Sequence, residues 1–507
     1  MTSLRPNRPR APLPAGPYLV AGLGRAGLAA ARALAEHATP AAVTACDSAT
    51  FPEVMAAKRE LEARGINVIV GESAAASVQT DPPPGCVVKS PGIAFAAPLI
   101  AAATSRGIPV IDEAELAWRL DDRPLVAVTG TNGKSTTCQL LRAVLEAAGR
   151  HPIMGGNAQF HPPLSALPRR RGAIVVGEIS SFQLEGCPDL LPEAAVFTNL
   201  SLDHLDRHGT LRRYGECKRR LFLREDRCVP VAAVNVGDPF GAQLAGELDE
   251  RGSTVVRYGG ADAEFRVARA EWSLDRGWLS VITPAGELDL EVHLPGRHNA
   301  DNVLAALAAA HGLGIDPEPA ARALEASRPV PGRFERVDGP GEVDVIVDYA
   351  HNPDGIRAAV ETARHTLAER PGARVTVVLS ALAIDAEPQR RAMGRVAAEL
   401  ADALVLTTER WAPFEPHDRL PTGLEEGARE SPGVDCDVVL ERRAAIDRAI
   451  RASAPGDVVL VLGRGAQDEL LFDGPGDPQP FDDRIEARLA LAEVAGAPTA
   501  GAQGPPR

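Results

Sequence analysis

Three times along the chain a short, mostly apolar run gives way to a loop and then to a helical pattern. Tyr18-Leu-Val-Ala21 leads into Gly22-Leu-Gly-Arg-Ala-Gly27 and an alanine-rich helix. Leu125-Val-Ala-Val-Thr129 leads into Gly130-Thr-Asn-Gly-Lys-Ser-Thr136 and a helix ending near Gly149. Val343-Asp-Val-Ile-Val-Asp348 leads into Tyr349-Ala-His-Asn-Pro353 and a third helix. Continuous apolar strands feeding helices predict an α/β protein with parallel sheets covered on both faces. Polar, proline-bearing breaks at Asp121-Asp-Arg-Pro124 and Ser327-Arg-Pro-Val-Pro-Gly332 divide the chain. The expected domains are 18–122 and 332–495, both Rossmann-like, and 123–331, a P-loop ATPase-like sheet. Disordered tails are expected over 1–17 and 496–507. Residues about 253–294 alternate apolar and polar, which predicts a small antiparallel patch on the middle sheet.

Composition narrows the class. The 507 residues are 45% hydrophobic and 24% charged, as in soluble globular proteins, with a formal net charge of -14. The acidic balance argues against a nucleic-acid surface. No apolar stretch approaches the roughly 18 residues of a membrane span, and the Pro- and Arg-rich start lacks the apolar core of a signal peptide. Seven scattered cysteines without Cys-x-x-Cys spacing suggest reduced thiols and a cytoplasmic location. Only four residues are lysine: Lys58, Lys89, Lys134 and Lys218. The other 50 of the 54 basic residues are arginine, so each lysine raises the question of what arginine could not do there.

The loop Gly130, Thr131, Asn132, Gly133, Lys134, Ser135, Thr136 carries the most specific chemistry. Glycines let backbone N–H groups turn toward phosphate oxygens, and the following helix N-terminus adds its dipole and free donors. Lys134 would reach the β- and γ-phosphates, and Ser135 would offer its hydroxyl to Mg²⁺. The usual pattern has glycine at 128, where this chain has Val128, so the loop is a shortened variant. The bland alternative, a helix cap with a chance Lys-Ser, fits the flanking strand and helix less well. Glu178 ends the next buried run, and Asn199-Leu-Ser-Leu-Asp-His-Leu-Asp206 follows another. Glu178, Asp203, His204 and Asp206 are therefore expected to converge beside the loop, where ligands of open α/β sheets sit. Singly, each also reads as a helix cap or a surface group. In the first domain Gly22, Gly24 and Gly27, with Asp47 ending a second strand, match the dinucleotide fingerprint. Alone, that motif would equally suit an NAD-dependent oxidoreductase, a reading the ATP loop disfavours.

These motifs, in this order, resemble those of the Mur ligase family. The resemblance spans roughly residues 18–495. It rests on Thr129–Thr136, Glu178-Ile-Ser-Ser-Phe-Gln-Leu-Glu185, Asn199–Asp206, Tyr214-Gly-Glu-Cys-Lys218, Gly296-Arg-His-Asn-Ala-Asp-Asn302 and Pro331-Gly-Arg-Phe334. The Glu178–Glu185 run, Lys89-Ser-Pro-Gly-Ile93 and the first glycine loop look most like the branch that adds D-glutamate to UDP-N-acetylmuramoyl-L-alanine. The resemblance implies that ATP and Mg²⁺ convert a carboxylate to an acyl phosphate, which an amino acid then attacks. It implies catalytic roles for Lys134, Glu178, His204 and Lys218, with one Mg²⁺ on Ser135 and Glu178 and a second near His204 and a carbamylated Lys218. A carbamate needs an amine that can lose its proton, which a guanidinium cannot supply. Adenosine contacts are implied for Asn299, Asn302, Arg333 and Asp348. Contacts to the UDP substrate are implied for Gly24, Arg25, Ala26, Asp47, Ser90, Pro91, Gly92 and Asn157. The implied partners are a UDP-N-acetylmuramoyl-peptide and a free amino acid, acting on a monomer.

The third domain departs from that branch. Asp348-Tyr-Ala350 stands where Asp-Ser-Lys is usual, and Ser380-Ala-Leu-Ala-Ile-Asp385 replaces a loop with Gly and Lys. Asp348–Asp354, Gly463-Arg-Gly465 and Phe481-Asp-Asp-Arg484 look more like the branch adding the third residue, yet its Asp-Asn-Pro-Arg is replaced by Glu409-Arg-Trp-Ala-Pro413. Arg410 and Arg464 are the candidates for the acceptor's carboxylates. The leading expectation is D-glutamate addition. The runner-up is a ligase with another acceptor, L-glutamate or a diamino acid. A catalytically silent nucleotide-binding homologue is the remaining alternative. Lys89 is assigned no derived role beyond a charge near the UDP phosphates, or a surface ion pair.

Overall fold

The computed structural model describes residues 9–157, 160–409, 418–470 and 479–496. The N-terminal sheet holds β1 (Tyr18–Ala21), β2 (Val43–Asp47), β3 (Asn67–Val70), β4 (Cys86–Lys89) and β5 (Val110–Asp112) in the order β3-β2-β1-β4-β5, all parallel. The central sheet holds β6 (Leu125–Thr129), β7 (Pro152–Gly156), β8 (Ile174–Glu178), β9 (Ala194–Phe197), β10 (Val231–Asn235) and β11 (Thr254–Tyr258). Its order is β11-β10-β9-β6-β8-β7, again parallel. Alternate residues of β6 enter two different cores. Val126 and Val128 meet the helices Lys134–Ala147 and Arg297–Gly312, while Leu125 and Ala127 face Leu184, Phe222 and Leu244. Both faces are covered, which is why the strand has no polar side. Helix Arg297–Gly312 is buried continuously from Asn302 to Ala310, so its Ala-rich run packs on several sides.

The alternating stretch resolves differently from the expectation. Thr254–Tyr258 is the parallel edge strand β11, because its valines pack on the core of the main sheet. The antiparallel part is a separate sheet of β12 (Arg266–Trp272), β13 (Gly277–Thr283) and β14 (Gly286–Val292). The C-terminal sheet has the order β15-β16-β20-β17-β18-β19: β15 (Glu335–Arg336), β16 (Asp344–Asp348), β17 (Val375–Leu379), β18 (Ala403–Leu406), β19 (Asp435–Val438) and β20 (Val458–Leu462). Only β15 runs antiparallel. Among the described residues no helix is long and apolar enough to cross a membrane.

Residues 9–17, expected within a free tail, are tied down where they are described. Arg10 donates to the carbonyls of Trp118 and Arg123, and its guanidinium lies over the Trp118 ring. The remainder of both tails, 1–8 and 497–507, lies outside the described residues. Beneath this segment the first two domains are joined by a buried acidic run. Asp112 N donates to Gly186 O (2.7 Å), Glu113 accepts from Ser165 N (2.6 Å), and Glu115 accepts from Leu190 N (2.8 Å). Lys89 belongs to this joint. Its ammonium pairs with Asp112 at 2.9 Å and reaches Phe182 O at 3.4 Å, with both side chains of the pair wholly buried. It is therefore neither a surface pair nor a group turned toward a UDP phosphate.

Burial pushes the Asp112 carboxyl up to about 6 against the pull of Lys89, and pushes Glu113 up to about 7. A carboxyl whose folded value lies above its unfolded value binds its proton more tightly when folded. Its contribution to stability thus falls as pH rises from about 4.5 to about 7 and is level beyond. Glu113→Gln should become more stable relative to the parent across that window, by on the order of 1 kcal/mol per pH unit. Unfolding midpoints of both proteins at pH 5 and pH 8 test this, and an unchanged offset refutes it.

Candidate active site

Strand order places the site. In the central sheet β6 has β8 on one side and β9 on the other, so the connections leave in opposite directions and a crevice opens at the carboxyl ends. The phosphate loop lies there. Gly130 (φ 148°) and Gly133 (φ 84°) take conformations that other residues resist. A Cβ at 130 would lie 1.9 Å from Thr198 Oγ1, and one at 133 would lie 2.1 Å from Asn302 Oδ1. The loop is held by its neighbours: Thr131 N donates to Asn199 O (2.9 Å), and Thr198 Oγ1 donates to Asn132 O (2.6 Å). Thr136 follows in the first turn of the helix.

Two cavities flank this loop. One, of about 240 Å³, is lined by Thr131–Thr136, Asn157, His161, Glu178, Phe182, Asp203, His204, Lys218, Arg333 and His351. The other, of about 260 Å³, is lined by Asn132, Gly133, Asp238, His298, Asn299, Asn302, Arg333, Asp348 and Tyr349. In the first, Ser135 Oγ donates to Glu178 Oε2 at 2.6 Å, and Asn157 Nδ2 donates to Glu178 Oε1 at 3.2 Å. Lys134 Nζ folds back onto Thr131 O (2.7 Å). Burial lowers the Lys134 pKa against the attraction of Glu178 and Asp203. Lys218 is almost wholly buried, donates to Gly130 O (2.6 Å) and lies 4.2 Å from the Tyr214 ring centroid. Burial, with Lys134 nearby, drives its pKa well below that of an ordinary lysine. His204 takes a left-handed backbone (φ 52°), sits 4.7 Å from the Phe182 ring, and is pushed down to about 4 by burial, so it is neutral near pH 7. Burial disfavours the charge on Asp203, but His204, His351 and Lys134 more than offset that and hold its pKa well below the usual range. Asp206 does not join this group; it is exposed on the short helix Leu205–His208.

The residues assigned to adenosine line the second cavity, partly as scaffolding. Asn299 Nδ2 donates to Pro295 O and its Oδ1 accepts from Asn302, while Asp348 accepts from Phe334 N and Ala350 N. Arg333 stacks on Tyr349 at 4.3 Å and touches both cavities. His298 was not singled out by the motifs. Its Nδ1 is buried without a hydrogen-bond partner, and its place beside Asn299 in the Gly296–Asn302 run was the available signal.

The first domain repeats the geometry at β1, which has β2 on one side and β4 on the other. Asp47 accepts from Leu23 N (2.7 Å), and Ser90 Oγ donates to Gly22 O (3.2 Å). A Cβ at Gly27 would lie 1.7 Å from Gly22 O, whereas one at Gly24 meets nothing within 4 Å. Gly24, Arg25, Ala26, Asp47, Ser90, Pro91 and Gly92 thus share one edge. Arg25 links this edge to the central cavity by donating to His161 O (2.6 Å). Arg207 donates to the carbonyls of Gly92 and Ile93 while paired with Glu185 at 2.6 Å.

In the C-terminal domain Arg464 is fully buried and paired with Glu409 (3.3 Å). Glu409 also accepts from Ser380, which in turn accepts from Arg442 (2.7 Å), itself paired with Asp483 (2.7 Å). Arg464 is a brace of this network and not a group reaching into the cleft, because a buried carboxylate already takes its charge. Arg410 lies outside the described residues.

Residues 17–112 match the model of the Mur ligase MurD-like N-terminal domain, 128–310 the Mur ligase middle domain, and 332–465 the Mur ligase glutamate ligase domain. The chain belongs to the Mur ligase family. It is an ATP-dependent Mur ligase of peptidoglycan precursor synthesis. It is 34% identical over 417 residues to the UDP-N-acetylmuramoyl-L-alanyl-D-glutamate–2,6-diaminopimelate ligase of Geobacter metallireducens, covering 74% of this chain and 79% of that one. It is 33% identical over 462 residues to the UDP-N-acetylmuramyl-tripeptide synthetase of Deinococcus radiodurans, covering 86% and 88%. The UDP-N-acetylmuramoylalanine–D-glutamate ligase of Microcystis aeruginosa is 34% identical over 333 residues, covering 65% and 72%. The UDP-N-acetylmuramate-alanine ligase of Thermotoga maritima shares the fold, with a TM-score of 0.58, 21% identity, and coverage of 95% of this chain and all of that one.

The glycine cradle gives the ligase a direct test. Gly133→Ala should weaken nucleotide binding at least tenfold by calorimetry, since the loop must shift to clear Asn302. Unchanged affinity would show that the loop does not hold phosphate.

Proposed function

We propose that this ligase uses ATP to join D-glutamate to UDP-N-acetylmuramoyl-L-alanine. The observation that carries the reading is the MurD-like match over 17–112, in the domain whose glycine edge would receive the UDP substrate. Residues Gly24, Arg25, Ala26, Asp47, Ser90, Pro91 and Gly92 would hold the UDP end, with Asn157 nearer the sugar-peptide. Asn299, Asn302, Arg333 and Asp348 would border the adenosine of ATP. Arg410 remains the proposed contact for the acceptor's carboxylate.

Transfer of the γ-phosphoryl group to the substrate carboxylate brings two anions together. Lys134 and the first-turn N–H groups of the helix Lys134–Ala147 would offset that repulsion where the charge develops. The donor set suits Mg²⁺: Ser135 and Glu178 already meet at 2.6 Å, and His204 is neutral. When bound, Mg²⁺ would screen the phosphate charge at Ser135 and Glu178 and, at a second position, at His204 and Lys218. The low pKa of Lys218 supplies the neutral amine that carbamate formation with CO₂ requires. In the second half-reaction the acceptor amine attacks the acyl carbon, a tetrahedral intermediate forms, and inorganic phosphate leaves. Water must be kept from the acyl phosphate, and closing the C-terminal domain over the cavity lined by both domains would do so.

A second reading has its own support: diaminopimelate ligases and a tripeptide synthetase stand among the curated relatives. Product mass after incubation with ATP, UDP-N-acetylmuramoyl-L-alanine or its D-glutamyl extension, and a panel of amino acids discriminates the two. A D-glutamate adduct of the first substrate is expected, and a diamino acid adduct of the second establishes the alternative. Lys218→Arg should lower kcat by at least about 100-fold. Lys218→Ala should recover activity with acetate or formate. Near-parental turnover by Lys218→Arg would remove the carbamate.

A further inference from the structure

Three side chains of the C-terminal domain meet one carboxylate of the central domain. Asn352 caps the helix Pro353–Thr366 by accepting from Gly355 N at 2.9 Å. The same amide faces Asn132 of the phosphate loop and bonds to it in both directions, at 3.2 and 3.0 Å. Asn352 Nδ2 also lies 3.3 Å from Asp203 Oδ2. From a separate segment, the helix Glu387–Leu400, Gln389 Nε2 donates to Asp203 Oδ1 at 3.0 Å. His351 Nε2 stands 3.7 Å from the same carboxylate. Asn352 and Gln389 are wholly buried and Asp203 is nearly so.

Burying an amide is costly unless it is bonded. The bond that Gln389 Nε2 makes in this structure crosses to another domain, and its Oε1 has no hydrogen-bond partner. This arrangement suits only the docked state: when the domains part, Gln389 and Asp203 regain water. Asn132 meanwhile borders both cavities, so the loop that would hold phosphate and the helix that starts at Pro353 are in direct register.

We propose that Asp203 is the post on which the C-terminal domain docks, and that Gln389 and Asn352 are positioning residues that register that domain against the phosphate loop. The proposal deepens the ligase reading, since the amine must be brought to a carbonyl activated beside this loop. Positioning of this kind acts on kcat, because small misplacement of reacting groups is costly. It acts less on the affinity for ATP, to which neither side chain is assigned.

Gln389→Glu sets a second carboxylate against Asp203 and should favour the undocked form. With Mg²⁺ and a non-hydrolysable ATP analogue, small-angle scattering of the full chain should give a larger radius of gyration than for the parent. Turnover should fall at least tenfold while the dissociation constant of the analogue changes less than threefold. Gln389→Lys restores a donor and should recover most of the turnover. Asn352→Thr keeps a helix-capping oxygen but loses the paired amide, and should shift compactness in the same direction; it decides the matter if Gln389→Glu does not fold. Parental compactness and turnover in Gln389→Glu and Asn352→Thr would overturn the proposal. So would equal impairment of Gln389→Lys and Gln389→Glu, or a loss of analogue affinity as large as the loss of turnover. Compactness is read without any acceptor, so a parent inactive on every amino acid would sink the function proposed above and leave the docking result standing.

Discussion

Everything at the central site hangs on a loop whose backbone is held open by the strand beside it. Thr198 and Asn199 bond the loop at Thr131 and Asn132, Lys218 bonds Gly130 O, and the glycines leave no room for side chains. Asn199 takes the N–H groups of Thr131 and Asn132, and the first-turn N–H groups of the helix Lys134–Ala147 are the donors left without an intrahelical partner. Ser135 and Lys134 then fall at the start of the helix, and Glu178 arrives from the neighbouring strand at the same height. Both cavities are walls of this one loop.

The loop, its strand and its helix were legible in the sequence because they are local. A continuous apolar run, two glycines at fixed spacing and an amphipathic helix need no distant partner to be recognised. The Ser135–Glu178 contact was legible one step further, since parallel strands end at a common edge. Side chains whose meaning depends on remote partners were not. Lys89 finds Asp112, Arg464 finds Glu409, and Gln389 finds Asp203, and no local spacing announces such pairs. Asp206 went the other way: its motif suggested convergence, but one short helix turns it to the surface. The alternation over residues 253–294 misled at its start, because an edge strand of a parallel sheet also exposes one side.

Three of the four lysines share a physical logic. Lys58 makes a partly exposed pair with Glu62 at 3.5 Å. The other three are drawn into the interior or the cleft, where a compact ammonium fits. Lys89 is paired with Asp112 at 2.9 Å, whereas burial and the nearby Lys134 push the Lys218 pKa well below that of an ordinary lysine. The same side chain thus pairs with a carboxylate in one place and bonds a loop carbonyl in another, according to which group stands within hydrogen-bond reach.

The joint formed by Lys89, Asp112, Glu113 and Glu115 also has a kinetic meaning. It is assembled from buried side chains and backbone bonds, so the first two domains share one interior. Their two glycine edges are consequently oriented once, when the chain folds, and not anew at each turnover. The loss of rotational and translational freedom that two separate binding modules would face on every encounter has already been met in making the protein.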